Sequence, residues 1–341
     1  MTRVYVGMSG GVDSSLTAAL LVEQGYEVTG VYMKNWSQDL PGMKCPWAED
    51  LADAKRVAVQ LGIDLKVFDF EADYRGKVVG YMIDTYKEGR TPNPDIMCNQ
   101  EVKFKLFLDA SLADGADMIA TGHYAQTKDG RLLRAVDDNK DQTYFLYRVT
   151  SAALEKTLFP LGGYTKPQVR EMAVERGLYT ATKKESMGIC FVGRVGIREF
   201  LGQYVDTAPG SIIDKDSGKV LGQHDGAIFY TIGQRHGLDI GGGLPYYVVG
   251  KNMDKNEVYV STNLQDGSLW RHEIELAAVH WIGKNPGNGK YHIRVRHRAP
   301  LVPATLKDTV LELDEPQRAV ASGQSIVLYE ANLCVGGGIV I

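Results

Sequence analysis

Four short stretches of this 341-residue chain carry side chains suited to chemistry. The first is MSGGVDSS, Met8 to Ser15. Gly10 and Gly11 let backbone N–H groups approach a ligand, and the helix start that follows favours an anion. Ser14 can donate to a phosphate oxygen, and Asp13 can hold the Mg²⁺ that a nucleotide brings. The lysine of a Walker-type loop, GxxxxGK[ST], is missing. The alternative is a tight strand-to-helix turn in which Asp13 and Ser14 serve as caps. The second stretch is GRTPNPDIMCNQEVKF (89–104), with Asp95 three residues before Cys98. Its prolines stiffen a loop, a helix is expected from Gln100, and a thiol near a helix N-terminus has a favoured thiolate. A lone cysteine in a helical protein otherwise packs inertly; here the polar, proline-rich setting points to exposure. The third, KKESMGICFVG (183–193), holds Cys190 between a charged approach and an apolar end, suiting a reactive thiol or a buried strand. The fourth, DMIATGHYAQ (117–126), ends a strand in Gly122 and His123, which can meet a ligand or simply cap the strand.

The elements that must position these residues alternate along the first 120 residues. Apolar runs at 3–8, 26–33, 64–70 and 117–121 read as strands. The 3.6-residue periodicity of Val12, Leu16, Ala19 and Leu20, and of Leu51, Ala54, Val57, Ala58 and Leu61, reads as helices ending near Gly25 and Gly62. A further helix is expected over 101–114. Alternating strands and helices imply a mostly parallel α/β sheet, with ligands beyond the carboxyl ends of its strands, where the glycine loop sits. From 151 to 205 the pattern is helical, with a capping box at Thr165 and Gln168. After DTAPGS (206–211) glycine-rich turns separate short apolar runs, and from about 266 alternating runs predict a small β-barrel. The expected units are 1–205 (nucleotide-binding and catalytic), 206–265 (central, β-rich) and 266–341 (C-terminal barrel).

Composition narrows the class. A net charge of −4 argues against a general nucleic-acid coat while allowing a local basic face. In YHIRVRHRAP, Arg294, Arg296 and Arg298 alternate; on one strand they would share a face at about 6.6 Å spacing, a comb able to track a phosphate backbone or a charged strand facing solvent. The four cysteines (Cys45, Cys98, Cys190 and Cys334) form no CxxC pair, so a zinc site is not expected. Cys334, in an apolar run, reads as packing; Cys45 opens C-P-W before a helix and has no assigned role. No apolar run approaches the roughly 18 residues of a membrane span, and no targeting segment precedes the first strand, so the expected place is the cytoplasm.

The order strand, S-G-G-x-D-S, helix resembles the signature of the PP-loop pyrophosphatases, which cut ATP between the α- and β-phosphates. Taken together, MSGGVDSS, TPNPDIMCN, ATGHYA, KDQTYFLY, GICFVG, YTIGQRHGL and GQSIVLY resemble, over nearly the whole chain, the bacterial tRNA-specific 2-thiouridylases. That resemblance implies ATP and Mg²⁺ as reactants, and as partners the anticodon loops of lysine, glutamate and glutamine tRNAs. It also implies a sulfur-donor protein, either a cysteine desulfurase or a sulfur-relay protein. It implies that the uracil 2-oxygen of the wobble nucleotide is adenylated and then replaced by sulfur from a persulfide on Cys190. Cys98 would be the second thiol, with a transient Cys98–Cys190 disulfide, and Asp95 the acid/base. Gly7, Met8, Ser9, Gly10, Gly11, Val12, Asp13, Ser14, Met33 and Gly122 match ATP contacts. Asn93 and Pro94 match contacts to the flipped base; His123, Lys140, Asp141, Gln142, Arg294, Val295 and Gln324 match tRNA contacts. The barrel segment departs from the family's R-Y-R-Q pattern at Val295 and His297. Another PP-loop enzyme, of lysidine-synthase or amidotransferase type, would share the loop but need neither Cys98 nor Cys190. A bare RNA-binding module would bind tRNA without turning over ATP.

Overall fold

The computed structural model describes residues 1–39, 45–184, 196–241 and 243–341. The strands in chain order begin with β1 (Arg3–Gly7), β2 (Glu27–Lys34), β3 (Asp64–Asp69), β4 (Met118–Ala120), β5 (Ala125–Lys128), β6 (Arg131–Arg134) and β7 (Thr157–Leu158). Five of them form a wholly parallel sheet in the order β3-β2-β1-β4-β7. The chain leaves β1 for β2 on one side and returns to β4 on the other. The gap between β1 and β4 is therefore the sheet's topological switch point, where a crevice opens beyond the strand ends. The loop after β1 and the T-G-H after β4 flank that crevice.

Helix α1 (Val12–Glu23) follows β1 directly and is buried along most of its surface, Leu16, Ala18 and Leu21 included. Its polar members are satisfied locally: Ser15 and Thr17 hydroxyls donate to the carbonyls of Gly11 and Asp13, at 2.8 and 2.9 Å. Helix α2 (Trp47–Leu61) ends on Gly62 at φ 67°, the left-handed cap its sequence predicts. The helix Lys166–Glu175, with the expected Thr165–Gln168 capping box, packs on the far side of α1 through Val169 and Ala173.

Residues 94–113 differ from the expected helix over 101–114. Asn93 caps a helix that starts at Pro94, runs as an α-turn to Met97, widens to a π-helix over Cys98–Leu106 and closes as α over Phe107–Ala113. Asn93 accepts a hydrogen bond from the Ile96 N–H at 3.4 Å, and Pro94 sits where its missing N–H costs nothing. The N-P-D stretch is thus a helix start rather than a loop.

The remaining strands are β8 (Gly210–Asp214), β9 (Val220–His224), β10 (Tyr247–Asn252), β11 (Glu257–Ser261), β12 (Trp270–Trp281), β13 (Gly289–Arg294), β14 (Val302–Lys307), β15 (Val310–Arg318), β16 (Ser325–Glu330) and β17 (Leu333–Val340). The first four make a mixed sheet in the order β10-β11-β8-β9. The last six form an antiparallel barrel, β12-β15-β14-β13-β16-β17, closed by β12 on β17 around Ile274, Ile293, Leu306 and Leu328. The α/β domain, β-rich central unit and C-terminal barrel expected from the sequence are present. One feature was not foreseen. The hairpin β5–β6 turns on Asp129 and Gly130, both at positive φ, and joins the barrel sheet through Leu132 and Leu133 against Cys334 and Leu333.

Candidate active site

The glycine loop owes its shape to close packing. Gly10 lies at φ +72°, and a Cβ there would come within 2.3 Å of the Asp50 carbonyl at the start of α2. No side chain caps α1, whose N-cap is Gly11, so its opening N–H groups face the crevice without a capping oxygen. Ser9 and Ser14 hydroxyls meet at 3.3 Å across the loop. Met8 and Val12 are buried in the core, and the Met8 N–H continues the sheet ladder to Val31, so their side chains face away from any ligand. Gly7 lies against Met33, whose Cε would stand 3.0 Å from an added Cβ. Gly122 has a similar role: a Cβ there would be 2.9 Å from the backbone of Asp13 and Ser14. Its close approach is to α1 itself, drawing β4 and the loop together.

Asp13 receives two partners that the sequence did not point to. The ammonium group of Lys166, 7 % exposed, spans both carboxylate oxygens at 2.7 and 2.8 Å, and Tyr124 donates its hydroxyl at 2.9 Å. Lysine is therefore absent from the loop sequence but present beside the loop, carried by a helix about 150 residues downstream. Gln142 accepts from the Tyr124 N–H at 2.9 Å and so steadies this arrangement. Among the described residues no cluster of three or more His, Cys, Asp or Glu side chains can hold a metal. Because Lys166 spans both Asp13 oxygens, a Mg²⁺ arriving with substrate phosphates would share or take over this carboxylate from the lysine.

The helix starting at Pro94 supplies the second group. Asp95 has its carboxyl pushed above the usual range by burial, against an opposing pull from the Lys103 ammonium two turns on. Lys103 also approaches His123 Nε2 at 3.4 Å, while His123 Nδ1 meets the Thr121 hydroxyl at 2.7 Å. Burial, with Lys103 beside it, holds His123 well below the usual imidazole range, so the ring is neutral. Lys103 thus links the Asp95 helix to the T-G-H turn. Sequence reading missed it because, with the helix started at Gln100, Asp95 and Lys103 belonged to different elements. Cys98 is buried at 6 % exposure inside the composite helix, beyond its first turn, which corrects the expectation of an exposed thiol ahead of a helix end.

Cys190 lies outside the described residues. Just ahead of that segment, Lys183 pairs with Asp50 and Asp53 of α2 at 2.8 and 2.7 Å, beside Gly10. Just after it, the helix Ile197–Leu201 sets Phe200 edge-on to Trp36 at 6.1 Å. Cys45 is half-buried and approaches the Trp36 carbonyl at 3.5 Å, and burial raises its pKa. Cys334, on β17, is buried with Leu132, Tyr147 and Tyr329 in the core that the α/β domain shares with the outer face of the barrel, and burial raises its pKa far more.

The barrel-side assignments divide. Gln324 is half-buried in the turn before β16, and Lys140 is half-buried too. Asp141 and Arg294 pair with each other inside the protein, at 0 % and 5 % side-chain exposure, with the Thr143 hydroxyl on both Asp141 oxygens and Tyr329 beneath the guanidinium. Val295 is buried as well. The strand β13 stops at Arg294, and Arg296 and Arg298 lie in the turn after it, with Arg298 at φ +63°. The expected three-arginine comb on one strand face does not exist, because Arg294 is drawn inward by Asp141. The segment 143–147 is instead a strut against β16: Tyr144 donates to the Ser325 carbonyl at 2.8 Å, and the Tyr147 and Ser325 hydroxyls meet at 3.1 Å. A cleft of about 450 Å³ between Met118, Lys128, Asp129 and Glu155 opens at the opposite end of β4, away from the crevice.

Three family models match in tandem. They are a tRNA methyl transferase HUP domain over residues 2–194, a tRNA methyl transferase PRC-barrel domain over 198–262 and an aminomethyltransferase beta-barrel domain over 271–340. Similar full-length proteins include the tRNA-specific 2-thiouridylase MnmA of Bacillus cytotoxicus, 47 % identical over 98 % of this chain and 94 % of its own. The protein of the same name from Pediococcus pentosaceus is 45 % identical over 99 % and 95 %. That from Bacillus mycoides is 47 % identical over 98 % and 94 %.

Proposed function

We propose, for a chain that belongs to the tRNA-specific 2-thiouridylase family, that it replaces the 2-oxygen of the wobble uridine of lysine, glutamate and glutamine tRNAs with sulfur at the expense of ATP. The domain descriptions speak of methyl transfer and the full-length relatives of thiolation. The relatives weigh more, because their identity runs through all three units.

The chemistry follows from the reactants. A uracil carbonyl is a poor electrophile with no leaving group. Its 2-oxygen attacks the α-phosphorus of ATP, pyrophosphate departs, and the oxygen now leaves as AMP. The N–H groups at the start of α1, with Ser9 and Ser14, receive the phosphates, and Lys166 adds positive charge beside them. Asp13 would hold Mg²⁺, which when bound offsets the charge of the leaving pyrophosphate. The terminal sulfur of a Cys190 persulfide attacks C2 and AMP leaves. The Cys98 thiolate takes the Cys190 sulfur, so the S–S bond to the transferred atom breaks, a Cys98–Cys190 disulfide forms and 2-thiouridine is released. A cellular thiol then reduces the disulfide, and a cysteine desulfurase or relay protein reloads Cys190. Asp95, with its raised pKa, handles the proton near the base, while Asn93 and Pro94 line the place of an anticodon nucleotide flipped out cheaply. The cytoplasm, where such tRNAs are modified, is part of the same proposal.

The observation that carries this reading is convergence. The phosphate loop, Gly122–His123 and the Asp95–Cys98 helix meet at one switch point, through Gly122 on α1 and Lys103 between Asp95 and His123. The test is nucleoside mass spectrometry of unmodified tRNA for glutamate incubated with the protein, Mg-ATP and a sulfide source. 2-Thiouridine at the wobble position is expected; its absence refutes the proposal.

A further inference from the structure

The loop leading into the Asp95–Cys98 helix is held from three sides. Gly89, at φ +75° just beyond the helix Gly80–Lys87, packs against Met253 of the central unit; a Cβ there would meet its Cγ at 2.7 Å. Thr91 donates its N–H to the carbonyl of Ser322, in the barrel turn before β16, at 2.8 Å. The Thr91 hydroxyl meets the hydroxyl of Thr231, in the central unit, at 3.0 Å. The barrel turn fits so closely that a Cβ on Gly323 would come within 2.9 Å of Thr91 and Arg90. The other two units also touch here, since Gly233 packs on Ala319 with no room for a Cβ. Thr91 therefore binds the barrel by its backbone and the central unit by its side chain. Two residues later Asn93 caps the helix that carries Asp95 and Cys98.

We propose that Thr91 is a positioning residue that sets the placement of Asp95 and Cys98 by tying their loop to the central unit and the barrel at once. The inference rests on the 2-thiouridylase reading and adds to it a mechanical link. RNA seated on the outer units reaches the sulfur-transfer groups through Thr91 rather than through the phosphate loop. Its loss therefore slows sulfur transfer more than it weakens RNA binding, because a shift of about 1 Å at reacting groups can cost about 100-fold in rate.

The test compares Thr91→Val, which keeps volume and backbone bond but removes the hydroxyl, with Thr91→Ser, which keeps the hydroxyl. For each, tRNA Kd, thiolation kcat and KM, and thermal stability are measured on the full chain. For Thr91→Val, kcat is expected to fall about tenfold or more with Kd and KM within about twofold of wild type, and Thr91→Ser restores it. Gly323→Ala, which presses on the same loop from the barrel side, is expected to lower kcat likewise. Wild-type kcat in Thr91→Val overturns the inference. So does a loss confined to KM, or one that Thr91→Ser fails to restore. A wild-type protein that makes no 2-thiouridine instead refutes the functional reading beneath it, so the two failures are distinguishable.

Discussion

Replacing Arg294 by methionine separates a structural arginine from an RNA-binding one. In the wild type Asp141 has no solvent exposure and is held by Arg294, by the Thr143 hydroxyl at 3.0 and 2.9 Å, by the Ala135 N–H at 3.1 Å, and more loosely by Arg134 Nε at 3.7 Å. Removing one partner of a buried ion pair costs about 3–5 kcal/mol, because the other charge is left buried. Arg134 retains part of the attraction, so the lower end, about 3 kcal/mol, applies. For a unit of this size that is a fall of roughly 6–12 °C in melting temperature, read by circular dichroism or calorimetry. The double variant Asp141→Asn with Arg294→Met is expected to recover much of the loss, since the stranded charge is gone. If Arg294 were instead a phosphate contact, the melting temperature would stay within about 1 °C. The slope of log K against log[salt] for tRNA binding would fall by about 0.7–0.9. That pair of results would refute the inward assignment of Arg294.

Three further outcomes are expected. Gly122→Ala pushes a methyl into the first turn of α1, and nucleotide affinity is expected to drop about tenfold; unchanged binding in a fluorescent-analogue titration contradicts the packing role. Burial, together with neighbouring Arg298, depresses His297 to about 4, below its unfolded value of about 6.5. The unfolded chain thus binds the extra proton first: the stabilisation is full above pH 6.5 and is lost as pH falls towards 4. His297→Phe is expected to flatten urea-denaturation stability across that window, and an unaltered pH profile counts against it. Cys98→Ala and Cys190→Ala are each expected to abolish 2-thiouridine formation while tRNA-dependent pyrophosphate release, from the adenylation that precedes sulfur transfer, persists; thiolation surviving in either variant removes that thiol from the proposed chemistry.

Local patterns in the sequence were good guides where local physics decides. Alternating strands and helices foretold the parallel sheet, Gly62 ends α2 as a left-handed cap, and Thr165 with Gln168 forms its box. The failures with charged groups share a cause: partners far away in sequence. Lys166 reaches Asp13, and Lys183 reaches Asp50 and Asp53, across more than a hundred residues, a pairing no period or spacing encodes. Arg294 looked like a surface arginine because alternation assumes a strand continuing past it, whereas Asp141 turns it inward and the strand stops. Cys98 was read as exposed because the prolines suggested a loop; Asn93 is instead a cap and Pro94 the first turn of a helix, for which N-P-D was a usable signal. The K-D-G-R turn of β5–β6 was also legible as a hairpin, but nothing local says which sheet it joins.

That hairpin has a consequence for how the chain is made. Its outer partner, β17, is the last strand of the sequence, and the same strand closes the barrel against β12. About two hundred residues separate β6 from β17, so at a synthesis rate of about 5–20 residues per second the hairpin emerges some 10–40 seconds before its neighbour exists. Until β17 has been made, the α/β domain carries an open strand edge and the barrel has a missing stave. One event, the arrival of β17, completes both, so the two units become whole together rather than each when its own preceding strands are made.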